Sequence, residues 1–194
     1  TEHAANLFGL KEFGNIYSRL GNPTVGALEA RLTALEEGAM CVALSSGTSA
    51  VMYSLINIMS QGDNFVTANQ LYGGTYTMFD NILPEYGINS KKVDITDLEA
   101  VEAAIDEKTR AIYCETITNP GLVVADISAL ADIAHSKGIP LIVDATFTTS
   151  AILKPFEYGA DIVVYSLTKW MSGHGRVIAG AVIEKGGFDW GNGN

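Results

Sequence analysis

The sequence is poor in basic residues and in cysteine, and each shortage argues against a class of protein. Twelve lysines and arginines stand against twenty-two acidic residues, and the formal net charge of −10 argues against nucleic acid or an anionic membrane as partner. Only Cys41 and Cys114 occur, both inside apolar strand-like segments. Buried structural thiols are therefore expected instead of a disulfide framework, and the reducing cytoplasm is the predicted location.

Long apolar runs and nucleotide-binding motifs are also missing. No run reaches the length that spans a membrane, and the first residues lack the basic-then-apolar pattern of a signal peptide. A Gly-x-Gly-x-x-Gly motif after a strand and a Walker-type lysine are both absent, which weakens a nucleotide-binding interpretation. The 194 residues, 47% of them hydrophobic, suffice for the core of one α/β domain, and small-molecule ligands are expected.

Strand-like and helix-like segments alternate along the sequence. Strands are predicted at 40–44, 65–68, 110–114, 139–143 and 160–164, the last two of the buried kind, and helices at 22–38, 50–59, 98–105 and 127–137. Leu28, Leu32 and Leu35 share one face of the first helix, and Thr96 with Glu99 predicts a capping box before the third. The alternation predicts a mainly parallel sheet with helices on both faces.

Lys169 follows the predicted strand 160–164 at its carboxyl end. Ligands of open α/β sheets bind outside the carboxyl ends of the strands, where an ammonium meets a bound anion or loses its proton and becomes a nucleophile. Ser166 and Thr168 flank the lysine, and Gly173-His174-Gly175 follows, where the backbone can approach a ligand closely. A surface lysine that closes a strand is the alternative on position alone.

Asp144 ends the predicted strand 139–143 at the same kind of edge. A carboxylate in such a place is costly unless it is paired. Lys169 and Asp144 together match the needs of pyridoxal phosphate, which takes an amine for its Schiff base and an anion facing its pyridine nitrogen. A plain ion pair between the two side chains remains the alternative.

A turn of small residues, Ser45-Ser46-Gly47-Thr48-Ser49, lies between a strand-like and a helix-like segment. The N-terminus of a helix offers backbone N–H groups and a positive dipole end to a phosphate, and Gly47 lets the backbone come near. Ordinary helix capping by serine or threonine is the alternative. Because Asp144 and Lys169 already call for a phosphate site, the turn is interpreted as that site.

The sequence resembles the large cofactor-binding domain of the cystathionine γ-synthase-like enzymes, which use pyridoxal phosphate in cysteine and methionine metabolism. The resemblance covers essentially the whole chain and rests on motifs that occur in the family's order: Tyr17-Ser18-Arg19 with Asn22-Pro23-Thr24, Ser46-Gly47-Thr48, Tyr72-Gly73-Gly74-Thr75, Glu115 with Asn119-Pro120, Val143-Asp144, and Ser166-Leu167-Thr168-Lys169. Within the family, Gly173-His174-Gly175 and Phe188-Asp189-Trp190 look most like the O-acetylhomoserine sulfhydrylases.

The resemblance implies a role for each matching residue. Lys169, Tyr72 and Asp144 are the implied catalytic residues: Lys169 forms the Schiff base and shuttles protons, Asp144 faces the pyridine nitrogen, and Tyr72 stacks on the ring. The implied cofactor-binding residues are Tyr17, Arg19, Ser46, Gly47, Thr48, Tyr72, Asn119, Asp144, Thr146, Ser166, Thr168 and Lys169, and no metal site is expected.

Tyr17 and Arg19 are expected in an extended segment, pointing the same way, and the resemblance implies that they reach the cofactor of a neighbouring subunit. The resemblance thus implies an obligate dimer at least, and a homotetramer built as a dimer of dimers is the expected assembly. Residues 1–24 form the implied N-terminal extended segment and partner contact, and 25–194 form the implied cofactor-binding α/β domain. That domain is expected to be incomplete at its C-terminal end, with the family's small C-terminal domain absent from the chain.

The implied activity is γ-replacement: O-acetyl-L-homoserine and a sulfur donor, such as sulfide, give L-homocysteine and acetate in methionine biosynthesis. Cystathionine γ-synthase, methionine γ-lyase and cystathionine γ-lyase activities are the alternatives among enzymes, and a phosphate-binding module without catalysis is the alternative outside them. Arg176 and Val177 stand where sulfhydrylases usually carry small hydroxyl residues, so the substrate preference stays open.

Overall fold

The computed structural model describes residues 2–192, so Thr1, Gly193 and Asn194, at the outer ends of the expected segments 1–24 and 25–194, lie outside the described residues. Seven strands form one sheet in the order β1-β7-β6-β5-β4-β2-β3. The strands are β1 Met40–Leu44, β2 Asn64–Ala68, β3 Asn89–Val93, β4 Thr109–Glu115, β5 Leu141–Asp144, β6 Ile162–Ser166 and β7 Gly180–Glu184.

Helices precede and connect the strands. The α-helices are α1 Glu2–Phe8, α2 Pro23–Glu36, α3 Gly47–Ile56, α4 Gly73–Thr77, α5 Leu98–Ala104, α6 Ile127–Ser136 and α7 Thr149–Ile152. A π-helical turn at Met78–Ile82 and 3₁₀ turns at Leu83–Tyr86 and Pro155–Tyr158 complete the helical segments. None of the helices in the described part of the chain is long and apolar enough to cross a membrane.

The prediction of a mainly parallel sheet is confirmed. Strands β3, β2, β4, β5 and β6 pair in parallel, whereas β7 runs antiparallel to both β6 and β1. Two strands were not predicted, β3 and β7. Strand β3 is an edge strand with the polar sequence NSKKV and little burial, so it lacks the apolar run that marks the others.

The core lies between the sheet and its helices. Every residue of β2 is buried, and because side chains alternate between faces, both faces of the sheet are covered there. Phe79 joins the core in edge-to-face contacts with Phe65 and Tyr113, at centroid distances of 4.7 and 5.2 Å. Cys41 and Cys114 are buried and free, as the sequence predicts.

One local prediction about helices is confirmed and one is wrong. Leu28, Leu32 and Leu35 share one face of α2, but Leu28 is 41% exposed, because the face that contacts the sheet carries Leu32 and the buried Glu36. The expected capping box before α5 does not form. Asp97 caps that helix instead, accepting a hydrogen bond from the Ala100 N–H at 3.0 Å.

The N-terminal residues are not extended, contrary to the prediction. They contain α1, and Tyr17 opens a tight turn in which its carbonyl accepts hydrogen bonds from the N–H groups of Leu20 and Gly21 at 2.9 and 3.0 Å. The turn brings the chain back towards Asn22, whose side chain caps α2 through the N–H groups of Thr24 and Val25.

Candidate active site

The sheet gathers the carboxyl ends of several strands at one edge. Glu115 of β4 is paired with Asp144 of β5, and Gly180 of β7 is paired with both Leu44 of β1 and Ser166 of β6. A cavity of about 650 Å³ opens at this edge, a size typical of small-molecule sites. Its walls include all but two of the predicted site residues: Ser46, Gly47, Thr48, Tyr72, Asn119, Asp144, Thr146, Ser166, Thr168 and Lys169.

The turn after β1 is both a helix cap and a wall of the cavity. Ser46 is the N-cap of α3, and its hydroxyl accepts a hydrogen bond from the Ser49 N–H at 3.0 Å, so the capping alternative holds for this residue. Gly47 and Thr48 form the first turn of α3 and line the cavity with Ser46. The cap therefore leaves the positive end of α3 facing the cavity, where an anion would be stabilised.

Two glycines bring this turn against the neighbouring strands. A Cβ on Gly47 would lie 2.4 Å from the Cβ of Ser166, and a Cβ on Gly180 would lie 2.0 Å from the carbonyl oxygen of Ser46. No larger residue fits either position without moving the backbone. The N-terminus of α3 and the end of β6 therefore meet directly at one wall of the cavity.

The hydroxyl groups on the β6 side are ordered by the backbone. The Thr146 hydroxyl accepts a hydrogen bond from the Ser166 N–H at 2.7 Å, which ties the loop after β5 to β6. The Thr168 hydroxyl donates to the carbonyl of Ala179 and accepts from its N–H, at 3.2 and 3.1 Å. These bonds hold the segment that leads into Lys169.

Asp144 is a partly buried carboxylate whose hydrogen bonds come from within the sheet edge. Its Oδ1 accepts from the Thr146 N–H at 2.9 Å and its Oδ2 from the Tyr113 hydroxyl at 3.3 Å. Burial raises the pKa of Asp144, and the bonds from Thr146 and Tyr113 oppose that rise. The ion pairs of the described residues do not include one between Asp144 and Lys169, so the plain ion-pair alternative lacks support.

Glu115 is a second carboxylate of the cavity that the sequence-based site did not include. It is 6% exposed, and burial raises its pKa to about 7, with a further contribution from the neighbouring Asp144. Its two oxygens accept hydrogen bonds from the backbone N–H groups of Tyr72 and Asn119. The rule that singled out Asp144, a carboxylate at the carboxyl end of an apolar strand, applies equally to the segment 110–114 and could have identified it.

Tyr72 follows β2 and precedes the short helix α4. Its side chain is 48% exposed, and its ring lies against Gly74, where a Cβ would come within 2.6 Å of the ring. Asn119, which precedes a cis peptide bond to Pro120, lines the same cavity. The two residues belong to different loops that meet at Glu115.

Tyr17 and Arg19 are absent from the cavity wall. The Arg19 guanidinium lies 5.3 Å from the centroid of the Tyr17 ring, and its Nη2 donates a hydrogen bond to the Tyr17 hydroxyl. Both side chains are exposed. The two residues thus form one pair, which lies on a turn outside this chain's own cavity.

The residues of the cavity fit pyridoxal phosphate. The α3 N-terminus, which Gly47 allows to lie against Ser166 at the cavity wall, suits the phosphate, and the costly carboxylate of Asp144 suits a protonated pyridine nitrogen. Lys169 supplies an amine on the same cavity. A lysine, a partly buried carboxylate and a phosphate turn at the carboxyl edge of a mainly parallel sheet are the groups that the pyridoxal-phosphate-dependent class of proteins requires.

Comparison with known proteins identifies the family. Residues 1–193 match the family described as Cys/Met metabolism PLP-dependent enzymes, and the chain belongs to that family. An O-acetyl-L-homoserine sulfhydrylase of Leptospira meyeri is 48% identical over 193 residues, which cover 100% of this chain and 44% of the relative. The chain therefore spans less than half the length of this relative.

Solved structures agree with the family. A Campylobacter jejuni structure described as an O-acetylhomoserine (thiol)-lyase with a pyridoxyl-lysine phosphate has a TM-score of 0.93 and 42% identity, covering 100% of this chain and 48% of its own. A cystathionine gamma-lyase from Lactobacillus plantarum, complexed with L-serine, has a TM-score of 0.83 and 43% identity, covering 87% of this chain and 44% of its own.

Proposed function

We propose that the protein catalyses γ-replacement on O-acetyl-L-homoserine, with sulfide or a related sulfur nucleophile, to give L-homocysteine and acetate in methionine biosynthesis. The observation that carries the proposal is the shared cavity of Lys169, Asp144 and the α3 N-terminus. The sulfhydrylase from Leptospira meyeri and the thiol-lyase from Campylobacter jejuni support the choice of an O-acetylhomoserine ester.

In the proposed site each residue has a separate task. The first turn of α3 with Gly47 and Thr48, together with Ser166, would hold the phosphate, and Ser46 would keep that turn capped. Pyridoxal phosphate, when bound, supplies an electron-withdrawing ring that stabilises negative charge at the substrate's α-carbon. Asp144 would keep the ring nitrogen protonated, because a cation there relieves the cost of its buried charge.

Lys169 is the proposed general base. Its Nζ would bind the cofactor's aldehyde carbon at rest and, once released, take the proton from the substrate's α-carbon. Tyr72 lines the cavity with a half-exposed ring, and we assign it to stacking on the cofactor and to help with proton transfer. Asn119 would lie near the ring hydroxyl, and Thr146 would hold the β6 end in register through Ser166.

Two measurements test this proposal. Reduction of the protein with borohydride, followed by peptide mass analysis, is expected to find a pyridoxyl group on Lys169. The variant Lys169→Ala is expected to lose turnover and the visible absorbance of the bound cofactor, because it lacks the amine that binds the aldehyde carbon. An active, yellow Lys169→Ala protein would contradict the assignment.

Substrate choice is tested by product analysis. Homocysteine and acetate are the expected products from O-acetylhomoserine and sulfide. The second candidate is the elimination reaction of a γ-lyase, which the similarity to the Lactobacillus plantarum cystathionine gamma-lyase favours. Faster release of a keto acid from cystathionine or methionine would select that alternative, and cystathionine formed from cysteine and O-succinylhomoserine would select a γ-synthase.

We also propose that residues 1–24 contact a neighbouring subunit and that 25–194 form the cofactor-binding domain, in a cytoplasmic dimer of dimers. The exposed pair of Tyr17 and Arg19, which lies outside this chain's own cavity, supports a role at another subunit's site. Mixing inactive Arg19→Ala and Lys169→Ala subunits is expected to restore activity, because a hybrid dimer has one site with neither change. If activity did not recover after subunit exchange, the proposal that Tyr17 and Arg19 act at the neighbouring subunit's site would be contradicted.

A further inference from the structure

Glu115 presents a problem that the proposed reaction leaves unsolved. It ends β4 next to Asp144 of β5, and it is 6% exposed. Two carboxylates in register on neighbouring strands repel each other, and Asp144 adds to the rise that burial causes in the pKa of Glu115. The proton transfers assigned to Lys169 and the ring contact assigned to Asp144 do not require a second carboxylate.

The hydrogen bonds of Glu115 indicate its task. Oε1 accepts from the backbone N–H of Tyr72 at 2.7 Å, and Oε2 accepts from the backbone N–H of Asn119 at 3.0 Å. Tyr72 is 43 residues away in sequence, whereas Asn119 is 4 residues away. One side chain therefore joins the loop after β2 to the loop after β4, and a residue of each loop lines the cavity.

Only the ionised form of Glu115, which predominates above its pKa of about 7, serves both partners. Each of them donates a proton, so the side chain between them must accept at both ends. A glutamine would turn an NH₂ group towards one of the two N–H groups and lose that bond. An aspartate is shorter by one methylene and does not span the same distance from β4. Charge-assisted bonds of this kind are also stronger than bonds between neutral groups.

The two ends of the Tyr72 loop are fixed by buried residues, because Leu71 and Thr75 are each 4% exposed. The part between them has fewer fixed points. Tyr72 stands before α4 without a side-chain capping bond, and Gly73 and Gly74 follow it. A Cβ on Gly73 would meet nothing within 4 Å, and the residue is exposed. The Tyr72 ring rests on Gly74 and is otherwise half exposed. Between the buried Leu71 and Thr75, the bond from the Tyr72 N–H to Glu115 therefore ties the backbone that carries the ring to the sheet.

We propose that Glu115 is a positioning residue: its carboxylate ties the Tyr72 loop to the Asn119 loop and so holds the Tyr72 ring and the Asn119 side chain beside the cofactor cavity. The proposal rests on the family's cofactor and is independent of which ester or sulfur donor the enzyme uses. The test therefore measures cofactor binding, and its result stays informative even if the proposed γ-replacement is refuted.

The test compares Glu115→Gln with Glu36→Gln in the full-length protein. Glu36 is the matched control, because it is 1% exposed, accepts a hydrogen bond from the Tyr165 hydroxyl, and lies outside the cavity wall. The measurements are the Kd for pyridoxal phosphate from titration of the apoprotein, the visible circular dichroism of the bound cofactor, and the Tm of each protein.

Glu115→Gln is expected to weaken pyridoxal phosphate binding by roughly 10-fold or more, the loss that corresponds to one hydrogen bond to a charged group. It is also expected to change the dichroism of the bound cofactor, because the Tyr72 ring is no longer fixed. Glu36→Gln is expected to lower the Tm and leave both readouts unchanged. The proposal would be overturned if Glu115→Gln had a Kd within two-fold of wild type and an unchanged dichroism spectrum. It would also be overturned if Glu115→Gln and Glu36→Gln changed the Kd and the spectrum equally.

A double-mutant cycle tests whether Glu115 acts through Tyr72. In a Tyr72→Ala background, Glu115→Gln is expected to cost clearly less affinity than in wild type, because the ring that it positions is gone. An undiminished loss in that background would refute action through Tyr72. If Glu115→Gln does not fold without cofactor, Glu115→Asp replaces it, and wild-type affinity in that charged but shorter variant would equally overturn the proposal.

Discussion

The close contact between Gly47 and β6 makes a sharp prediction about the phosphate turn. In Gly47→Ala the new Cβ would meet the Ser166 Cβ at 2.4 Å and its Cα at 2.8 Å. Carbon atoms normally stay about 3.5–4.0 Å apart, so α3 or the end of β6 has to move by roughly 1 Å. The backbone conformation of Gly47 is itself acceptable for alanine, so the steric contact alone carries the effect.

The expected cost follows from overpacking. An added methyl group in a packed site typically destabilises a protein by about 1–3 kcal/mol. Part of that cost is offset, because alanine is preferred over glycine in a helix by roughly 1 kcal/mol. We expect a free energy of unfolding lower by about 1–2 kcal/mol. The affinity for pyridoxal phosphate is expected to fall by a larger fraction than the free energy of unfolding, because the displaced residues are those assigned to the phosphate.

Gly26 provides the matched control. It lies inside α2, and a Cβ added there would meet nothing within 4 Å. Gly26→Ala is therefore expected to stabilise the protein by roughly 0.5–1 kcal/mol and to leave cofactor affinity unchanged. Chemical denaturation of the apoprotein and titration with pyridoxal phosphate measure both quantities. Wild-type cofactor affinity in Gly47→Ala would refute the assignment of this turn to the phosphate.

Two further predictions concern the carboxylates. Burial raises the pKa of Glu115 from 4.5 to about 7, so the folded apoprotein holds the Glu115 proton more tightly than the unfolded chain does. The contribution of this proton to the free energy of unfolding is fully present below about pH 4.5 and is lost as the pH rises through about 7. The loss is worth roughly 3 kcal/mol, and a denaturation series against pH should show it in wild type but not in Glu115→Gln; equal slopes would contradict it. Tyr113→Phe removes the hydroxyl that donates to Asp144 and should weaken pyridoxal phosphate binding about five-fold, the loss for one hydrogen bond of about 1 kcal/mol. The control Tyr165→Phe, whose hydroxyl bonds Glu36, should lower the Tm alone, and equal cofactor affinities in the two variants would argue against a role for Tyr113.

Several features were predictable because they are local in sequence. Apolar runs identified β4, β5 and β6, and the polar residue that ends or follows such a run identified Asp144 and Lys169. The small-residue turn before α3 was recognised in the same way. Each of these signals depends on residues a few positions apart in the sequence. Over that distance, hydrophobic pattern and backbone preference determine the local structure.

The features that the sequence did not predict, or predicted wrongly, are those where a contact partner is remote or where two residues compete. Leu28 has the helical spacing of a core residue, but spacing does not tell how far the sheet extends beneath it. Thr96 and Asp97 are both good capping residues, and the Thr96 hydroxyl donates to Asp94 instead. The role of Glu115 depends on Tyr72, 43 residues away, and no local pattern carries that information.

The sequence by itself determined which chemical groups stand at the strand ends: an amine, a carboxylate and a turn able to receive a phosphate. It did so because strand ends and helix starts are marked by short-range patterns. Only the tertiary structure decided that these groups share one cavity, since the order β1-β7-β6-β5-β4-β2-β3 brings distant strand ends to a common edge. Gly47 and Gly180 then allow backbones from different parts of the chain to touch, a closeness set by packing across the sheet.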